Sequence, residues 1–140
     1  MPTLDIISQT TFKEVITSVE LVDLNGNGKS NIIITTLNGD VRVYDYNDGE
    51  KKPLNEICSV GNLPPLAAIG VGDVTGDGVP DFVLGGLDNT MRVLVYMDET
   101  ISVKASSPLG SLPTAIAVLN VFDDERAEVI VSTNDGSMRC

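Results

Sequence analysis

The chain has 140 residues, of which 42% are hydrophobic and 21% charged, and its formal net charge is −11. This is the size and composition of one soluble domain, with no run that approaches the roughly 18 apolar residues of a membrane span. Because phosphate binding needs basic patches, the charge excludes nucleic acid and anionic membranes as expected partners and favours calcium or basic protein surfaces.

The N-terminal residues MPTLDIISQTTFKEV lack the basic and apolar regions of a secretory signal, and the sequence has no N-x-[ST] sequon. These features predict a cytoplasmic protein, or an extracellular one if the chain is a fragment of a secreted protein. Cys58 and Cys140 lack the spacing of a metal site and are expected to be free thiols.

The predicted elements are β-strands, because the apolar runs are short, rich in β-branched residues and bounded by Gly, Asn and Asp. After a predicted strand over 3–9, a unit of four strands follows: SVELV (18–22), NIIITT (31–36), VRVYDY (41–46) and LNEICSV (54–60). An oxygen-rich turn joins the first two strands. Asn38-Gly39 joins the next two and predicts a two-residue hairpin.

This unit occurs three times along the chain. Residues 19–46 align with 69–96 at an offset of 50, and the second copy aligns with 118–140 at an offset of 47. Four antiparallel strands per repeat of this length predict an all-β fold, a partial β-propeller of about three blades. We expect one domain over 1–140, with repeats over about 14–60, 61–108 and 109–140.

The ends of this array predict assembly. The third unit stops at Cys140, inside its expected third strand, so its fourth strand is missing. Three blades are fewer than the roughly four to eight of a closed propeller, and each end would expose an apolar blade face. We therefore expect a fragment of a larger propeller or a homo-oligomer, such as a dimer of six blades, in which the strand over 3–9 completes the last blade.

The oxygen-rich turn of each unit has the spacing of a calcium loop, in which alternate positions one to nine supply oxygens and position six is glycine. Loop two (73–81) has three carboxylates and is the strongest candidate, with Asp73, Thr75, Asp77, the Val79 carbonyl and Asp81 as predicted ligands. Loop one (23–31) has one carboxylate and is weaker, with Asp23, Asn25, Asn27, the Lys29 carbonyl and Asn31. Loop three (120–128) is expected to be a metal-free turn because of Phe122 and Arg126; its other candidates are Asn120, Asp124 and Glu128.

An alternative applies to all three loops, in which their side chains serve only to cap the amides of their own turn, a common use of Asn and Asp. An EF-hand is a poorer interpretation, because a strand follows each loop and position twelve is Ile34 or Leu84 where a glutamate belongs.

Two segments, Asp-x-Asn-Gly-Asn-Gly-x-x-Asn from Asp23 and Asp-x-Thr-Gly-Asp-Gly-x-x-Asp from Asp73, each precede an apolar strand and resemble FG-GAP repeats. Such repeats build the propeller of integrin α chains, and similar blades occur in Bardet–Biedl-type coat subunits and in bacterial adhesion modules. The resemblance covers 4–140 and implies a seven-bladed propeller family in which some of these loops hold calcium. The family's own dipeptides are eroded, since GNLPPLAAIG stands where its Gly-Ala-Pro segment belongs.

Arg42, Arg92 and Arg139 recur at one place in the third strand of each unit. A residue repeated in stacked units predicts a structural pairing, here with a carboxylate on an adjacent strand or blade. The tyrosines of the same strands, Tyr44 and Tyr96 among them, are expected to pack between blades.

The sequence contains no histidine, which excludes Ser-His-Asp, Cys-His and His-metal chemistry, and no pair of acids stands apart from the loop pattern. The expected function is a non-catalytic protein-interaction scaffold with calcium-stabilised loops. Two alternatives are a calcium-dependent adhesive or carbohydrate-binding module and the remnant of a propeller hydrolase, which would need paired carboxylates in a cleft.

Overall fold

The computed structural model describes residues 3, 6, 9–122 and 124–140, and these residues form strands, turns and loops without any helix. No element in this part of the chain is therefore a helix that could cross a membrane. Blade 1 contains β1 (Ile16–Val22), β2 (Asn31–Thr36), β3 (Val41–Tyr46) and β4 (Leu54–Val60). Blade 2 contains β5 (Leu66–Gly72), β6 (Asp81–Gly86), β7 (Thr90–Met97) and β8 (Thr100–Pro108). Blade 3 contains β9 (Pro113–Leu119), β10 (Glu128–Thr133) and β11 (Met138–Arg139).

Each blade is an antiparallel sheet in which neighbouring strands follow chain order. The strands predicted over 31–36, 41–46 and 54–60 are found at those bounds, and the strand predicted over 18–22 begins at Ile16. The prediction of an all-β partial propeller of about three blades is confirmed. The strand predicted over 3–9 falls largely on residues outside the described part of the chain.

The first strands of the three blades lie side by side, with β5 packed between β1 and β9. Two glycines of β5 allow β9 to come close. A Cβ atom at Gly70 would lie 2.8 Å from Ile116 Cγ2, and one at Gly72 would lie 2.5 Å from Val118 Cγ1. The β9 side chains of blade 3 therefore pack directly against the β5 backbone of blade 2, where the glycines have no side chains.

The main apolar core lies between blades 1 and 2. It joins one face of blade 1 to the facing side of blade 2; its fully buried members are Ile33, Val41, Val43, Leu66, Phe82, Leu84 and Leu94. All six residues of β6 are buried. Burial on both faces is expected of a strand that has a neighbouring blade on each side, and burial of one such side chain contributes about 2 kcal/mol.

Apolar side chains are exposed on the outer blade faces at both ends of the array, as the sequence predicts. On blade 1, Val19 and Leu21 are 58% and 65% exposed, whereas the equivalent Ile69 of blade 2 is 6% exposed. Phe12 covers part of the same face, with its ring centroid 5.8 Å from that of Tyr44. On blade 3, the exposed apolar residues include Leu119 and Met138.

The Asn38-Gly39 hairpin is longer than the two residues predicted. Gly39 has a φ of +85° and donates its N–H to the Thr36 carbonyl at 3.1 Å, while Thr36 N–H donates to the Asp40 carbonyl at 3.0 Å. Three residues thus separate the paired ends, and only the last is left-handed. Asn89 and Gly136 hold the same place in the other blades, with φ values of 60° and 82°.

A true two-residue turn occurs elsewhere, at Asp98-Glu99, where the φ values are 50° and 56° and Met97 pairs with Thr100. Positive φ at both central residues is the conformation of a type I′ turn, which usually carries Asn-Gly. The sequence signal was therefore right about where the hairpins are and wrong about which of them has two residues.

The repeated arginines make structural pairs. Arg92 donates Nη1 and Nη2 to the two oxygens of Asp88, at 3.1 and 2.6 Å. Arg42 Nη2 lies 3.1 Å from both Asp40 Oδ2 and Glu14 Oε1. The carboxylates of Asp40 and Asp88 belong to the preceding turn of the same hairpin, rather than to an adjacent strand or blade as expected.

The third arginine and the tyrosines complete this comparison. Arg139 donates to the Leu109 carbonyl, so its partner among the described residues is a backbone oxygen. Tyr96 is buried in the core between blades 1 and 2, as predicted. Tyr44 is also buried, but it lies on the outer face of blade 1 against Phe12 rather than between blades. Tyr46 is 37% exposed. Cys58 is half-buried, Cys140 is exposed, and both are free thiols.

Candidate metal loops

Loops one, two and three follow β1, β5 and β9 and lie at the same end of their blades, because each connects the first strand of a blade to the second. The three loops share one set of internal hydrogen bonds. The side chain at position one accepts the amide of position five, the side chain at position five accepts the amide of position seven, and the side chain at position nine accepts the amide of position two.

In loop two, the Asp73 carboxylate accepts three amides. Oδ1 accepts the N–H of Gly76 at 2.7 Å and of Asp77 at 3.1 Å, and Oδ2 accepts the N–H of Gly78 at 2.7 Å. Partial desolvation opposes ionisation, but these three amide bonds prevail and lower the pKa of Asp73. A carboxylate has about four lone-pair sites, so an oxygen that caps an amide still has capacity for a cation.

Asp81 closes the loop from inside the sheet. It is 1% exposed, and its Oδ2 accepts the amides of Val74 at 3.0 Å and Thr75 at 2.9 Å. Burial raises the pKa of Asp81, and the negative charge of Asp77 acts in the same direction, although the two amides oppose them. The loop therefore contains a buried carboxylate whose negative charge lacks a cationic partner within salt-bridge distance among the described residues.

Thr75 provides the observation that best fits a metal. Its hydroxyl oxygen is buried and makes no hydrogen bond of acceptable geometry with the described residues. The hydroxyl nevertheless lies close enough to the Asp73 and Asp81 carboxylates to help hold their pKa values down. An unsatisfied buried oxygen between two carboxylates matches the oxygen-rich environment that calcium requires.

The described residues contain no group of three or more His, Cys, Asp and Glu side chains that could hold a metal ion. The carboxylate of Asp77 is turned toward its own loop, where Oδ1 accepts the Val79 amide at 2.8 Å. The hydrogen bonds thus show the capping role that the sequence also allowed. The two roles are compatible, because amide caps leave part of each carboxylate free.

Loop one repeats this hydrogen-bond network, but it has one carboxylate where loop two has three. Asp23 accepts amides through both oxygens, the shortest bond being 2.6 Å from Gly28 N–H, and this bond is the main cause that lowers its pKa. Asn31 Oδ1 accepts the Leu24 amide, while Asn31 Nδ2 donates to Asp45 Oδ1 at 2.7 Å. The amide of Asn31 is therefore engaged at both ends, which leaves loop one a poorer fit to a metal.

Loop three is held by its own side chains. Asn120 Nδ2 donates to the Asp124 carbonyl, and Glu128 Oε2 accepts the Val121 amide at 2.7 Å. Phe122, at position three, is 71% exposed. Position three thus supplies no side-chain oxygen, and the metal-free turn stays a prediction.

A cavity of about 370 Å³ opens beside loop two, between loop one and the β7–β8 hairpin. Its walls combine apolar and polar side chains: Leu24, Asn25, Thr75, Asp77, Val79, Val95, Tyr96, Met97, Asp98 and Lys104. Three of these residues, Thr75, Asp77 and Val79, are predicted calcium ligands. The cavity has a size typical of small-ligand sites, and it brings Asp77 and Asp98 into one cleft.

Sequence reasoning missed two features of these sites. It did not identify Asp45 as the partner of Asn31, although a signal existed: loop two has Asp81 in place of Asn31 and Val95 in place of Asp45. It also did not place Asp98 and Lys104 beside loop two, because the β7–β8 hairpin reaches the loop only through tertiary packing.

Comparison with known proteins bears on this arrangement. A family model described as FG-GAP-like repeat matches residues 23–84, from the start of loop one to the middle of β6. None of the curated proteins compared with the chain matches it. The matched residues contain both glycine-rich loops that carried the resemblance in the sequence. The chain therefore contains an FG-GAP-like repeat that runs from loop one through β2, β3, β4 and β5 into β6.

Proposed function

We propose that this chain is a non-catalytic protein-interaction scaffold of β-propeller type and that calcium stabilises its loop two. The scaffold role is supported by the FG-GAP-like repeat and by blades that stack through their first strands. The buried, unsatisfied hydroxyl of Thr75 carries the calcium proposal. It stands at a predicted ligand position, and a bound cation would satisfy it.

Loop two would hold the ion through Asp73, Thr75, Asp77, the Val79 carbonyl and Asp81. The ion would supply positive charge to three carboxylates that lie within one nine-residue turn. Because Asp81 is buried and its pKa is raised by desolvation, neutralising its charge would stabilise the folded loop. Loop one would bind calcium more weakly through Asp23, Asn25, Asn27, the Lys29 carbonyl and Asn31, since its only carboxylate is that of Asp23 and the Asn31 amide is already engaged.

The calcium proposal predicts a selective effect of Asp77→Asn. The asparagine can still accept the Val79 amide, because Asn27 makes the same bond to the Lys29 amide at 2.9 Å. The substitution therefore removes charge and leaves the turn intact. We expect calcium to raise the melting temperature of the wild type, and we expect Asp77→Asn to weaken calcium binding by about tenfold or more in calorimetric titration.

Asp124→Asn is the matched control. Asp124 occupies position five of loop three and accepts the Arg126 amide at 2.9 Å, but loop three is not expected to bind calcium. This variant should bind calcium as the wild type does. Equal calcium affinity in the wild type and Asp77→Asn, or a wild type that calcium does not stabilise, would refute the role of loop two.

We also propose a protein partner for the exposed blade faces, either a second copy of this chain or another protein. Val19 and Leu21 are more than half exposed on the outer face of blade 1, as is Met138 on the outer face of blade 3. The residues of blades 2 and 3 that are equivalent to Val19 and Leu21 are covered by the preceding blade. A dimer that joins these ends would arrange six blades in one ring.

The cavity beside loop two supports a second candidate, a calcium-dependent adhesive or carbohydrate-binding module. Thr75, Asp77 and Val79 line the cavity, so a ligand there would lie next to a cation held by loop two. A ligand that binds only with calcium present would favour this function, and calcium that changes only the melting temperature would favour the scaffold.

The remnant of a hydrolase is less well supported. Asp77 and Asp98 share the cavity, but both residues are exposed. A general acid of a glycosidase needs an environment that keeps one carboxyl protonated, usually an apolar pocket.

A further inference from the structure

Loops two and three are joined by a hydrogen bond between blades. Ala127 N–H, near the end of loop three, donates to the carbonyl of Asp73 at 2.8 Å. The adjacent side chain passes close to loop two, because a Cβ atom added at Gly76 would lie 3.0 Å from Arg126 Cγ and 3.3 Å from Arg126 Nε. Blade 3 thus contacts loop two at Asp73 and passes close to it again at Gly76.

The corresponding bond cannot form between loops two and one. The residues equivalent to Ala127 are Pro80 in loop two and Ser30 in loop one. Pro80 has no N–H to donate to the Asp23 carbonyl. The backbone hydrogen bond between loops two and three is therefore specific to that pair of loops and is not made by every pair of stacked blades.

Asp73 has two functions in this arrangement. Its side chain is the first predicted ligand of loop two, while its carbonyl accepts Ala127 N–H. A cation that orders the side chain of Asp73 also orders the carbonyl attached to the same Cα. Since coupling between two binding events is reciprocal, whatever stabilises one contact must favour the other to the same extent.

We infer that cation binding in loop two is linked to the docking of blade 3 and that Ala127 is the positioning residue that links them. The inference rests on the proposed calcium site and goes beyond it, because it assigns part of the calcium affinity to a residue of another blade. Calcium should hold blades 2 and 3 together, and loss of the contact should weaken calcium binding.

Ala127→Pro is the direct test, because it removes the amide donor and little else. Pro80 shows that this place in the repeat accepts proline, and the position lies just before the strand begins. Ser30→Pro is the matched control, since Ser30 N–H donates no hydrogen bond to a described residue. In calorimetric titration with calcium chloride, we expect Ala127→Pro to bind about fivefold more weakly than both the wild type and Ser30→Pro, the effect of one hydrogen bond.

Hydrogen exchange of the wild type with and without calcium provides a second test that needs no variant. Calcium should slow exchange in β10 (Glu128–Thr133) as well as in loop two and should leave β3 (Val41–Tyr46) unchanged. Protection that stops at loop two, or equal calcium affinity in Ala127→Pro and Ser30→Pro, would overturn the linkage alone. A wild type that binds no calcium would instead overturn the calcium site on which the linkage rests.

Discussion

Asn31 and Asp81 occupy the same position in their loops but meet different neighbours. Asn31 donates its amide to Asp45 at 2.7 Å, whereas the place of Asp45 in blade 2 is taken by Val95. An aspartate at position 31 would bring two carboxylates together in a nearly buried site, which is strongly unfavourable. Blade 1 therefore cannot acquire the acid at position nine of a calcium loop unless Asp45 changes as well.

A second feature at the residue scale is the pair of Asp88 and Arg92, which makes stability depend on pH. The bidentate hydrogen bonds from Arg92 are the main cause that lowers the pKa of Asp88 below its usual 3.8. A depressed pKa in the folded state contributes stability above pH 3.8, and this contribution is lost as the pH falls through the folded value. The pair is partly exposed, so its contribution is at most about 1 kcal/mol.

We therefore expect Asp88→Asn to lower the free energy of unfolding at pH 7 by up to about 1 kcal/mol and to have progressively less effect below pH 4. Urea denaturation of the metal-free protein between pH 7 and pH 3 measures this difference. Asp48→Asn serves as a control, because the Asp48 carboxylate accepts no hydrogen bond from a described residue. A difference between wild type and Asp88→Asn that does not change with pH would contradict the charge pairing.

At the scale of elements, strands and turns differ in how far sequence predicts them. The strands over 31–36 and 41–46 were predicted to the residue, because β-branched runs end abruptly at Gly, Asn and Asp. The positions of the turns were predicted correctly, but the number of residues in the Asn38-Gly39 loop was not. Asn38-Gly39 specifies that one residue is left-handed, but the register of the flanking strands decides how many residues the loop contains.

The turn at Asp98-Glu99 carries a prediction at this scale. Glu99 has a φ of 56°, a conformation that costs a residue with a Cβ atom about 1 kcal/mol or more. Glycine adopts it freely, although glycine also loses more entropy on folding. We expect Glu99→Gly to raise the free energy of unfolding by about 0.5 kcal/mol, measured by urea denaturation.

Glu50→Gly is the matched control for this turn. Glu50 lies in the corresponding loop of blade 1 but is not among the residues with positive φ. The same substitution there relieves no strain and should leave stability unchanged or lower it. If Glu99→Gly were no more stable than Glu50→Gly, the left-handed conformation would not be costing stability.

At the scale of the whole molecule, the exposed outer face of blade 1 predicts self-association. Leu21 is 65% exposed, yet its equivalent, Val71, packs against the core between blades 1 and 2. We expect the wild type to associate at micromolar concentration in light scattering. Leu21→Lys should shift the protein toward the monomer without unfolding it, because the lysine would replace a side chain already in contact with solvent.

Leu87→Lys controls for the added charge. Leu87 is 44% exposed, but it lies in the turn between β6 and β7 and belongs to neither outer blade face. This variant should associate as the wild type does. A wild type that scatters light as a monomer would show that the outer faces do not bring copies of this chain together.

The sequence by itself determined the all-β class, the threefold repeat, the bounds of three strands of blade 1 and the places where loops with calcium-type spacing occur. These features follow from local patterns, since each unit contains its own apolar strand runs and turn residues, and the units recur at a regular spacing. Tertiary structure decided what the loops contact. The bond from Ala127 to Asp73, the pairing of Asn31 with Asp45 and the cavity beside Thr75 all join segments that are distant in sequence, and the stacking of β1, β5 and β9 brings those segments together.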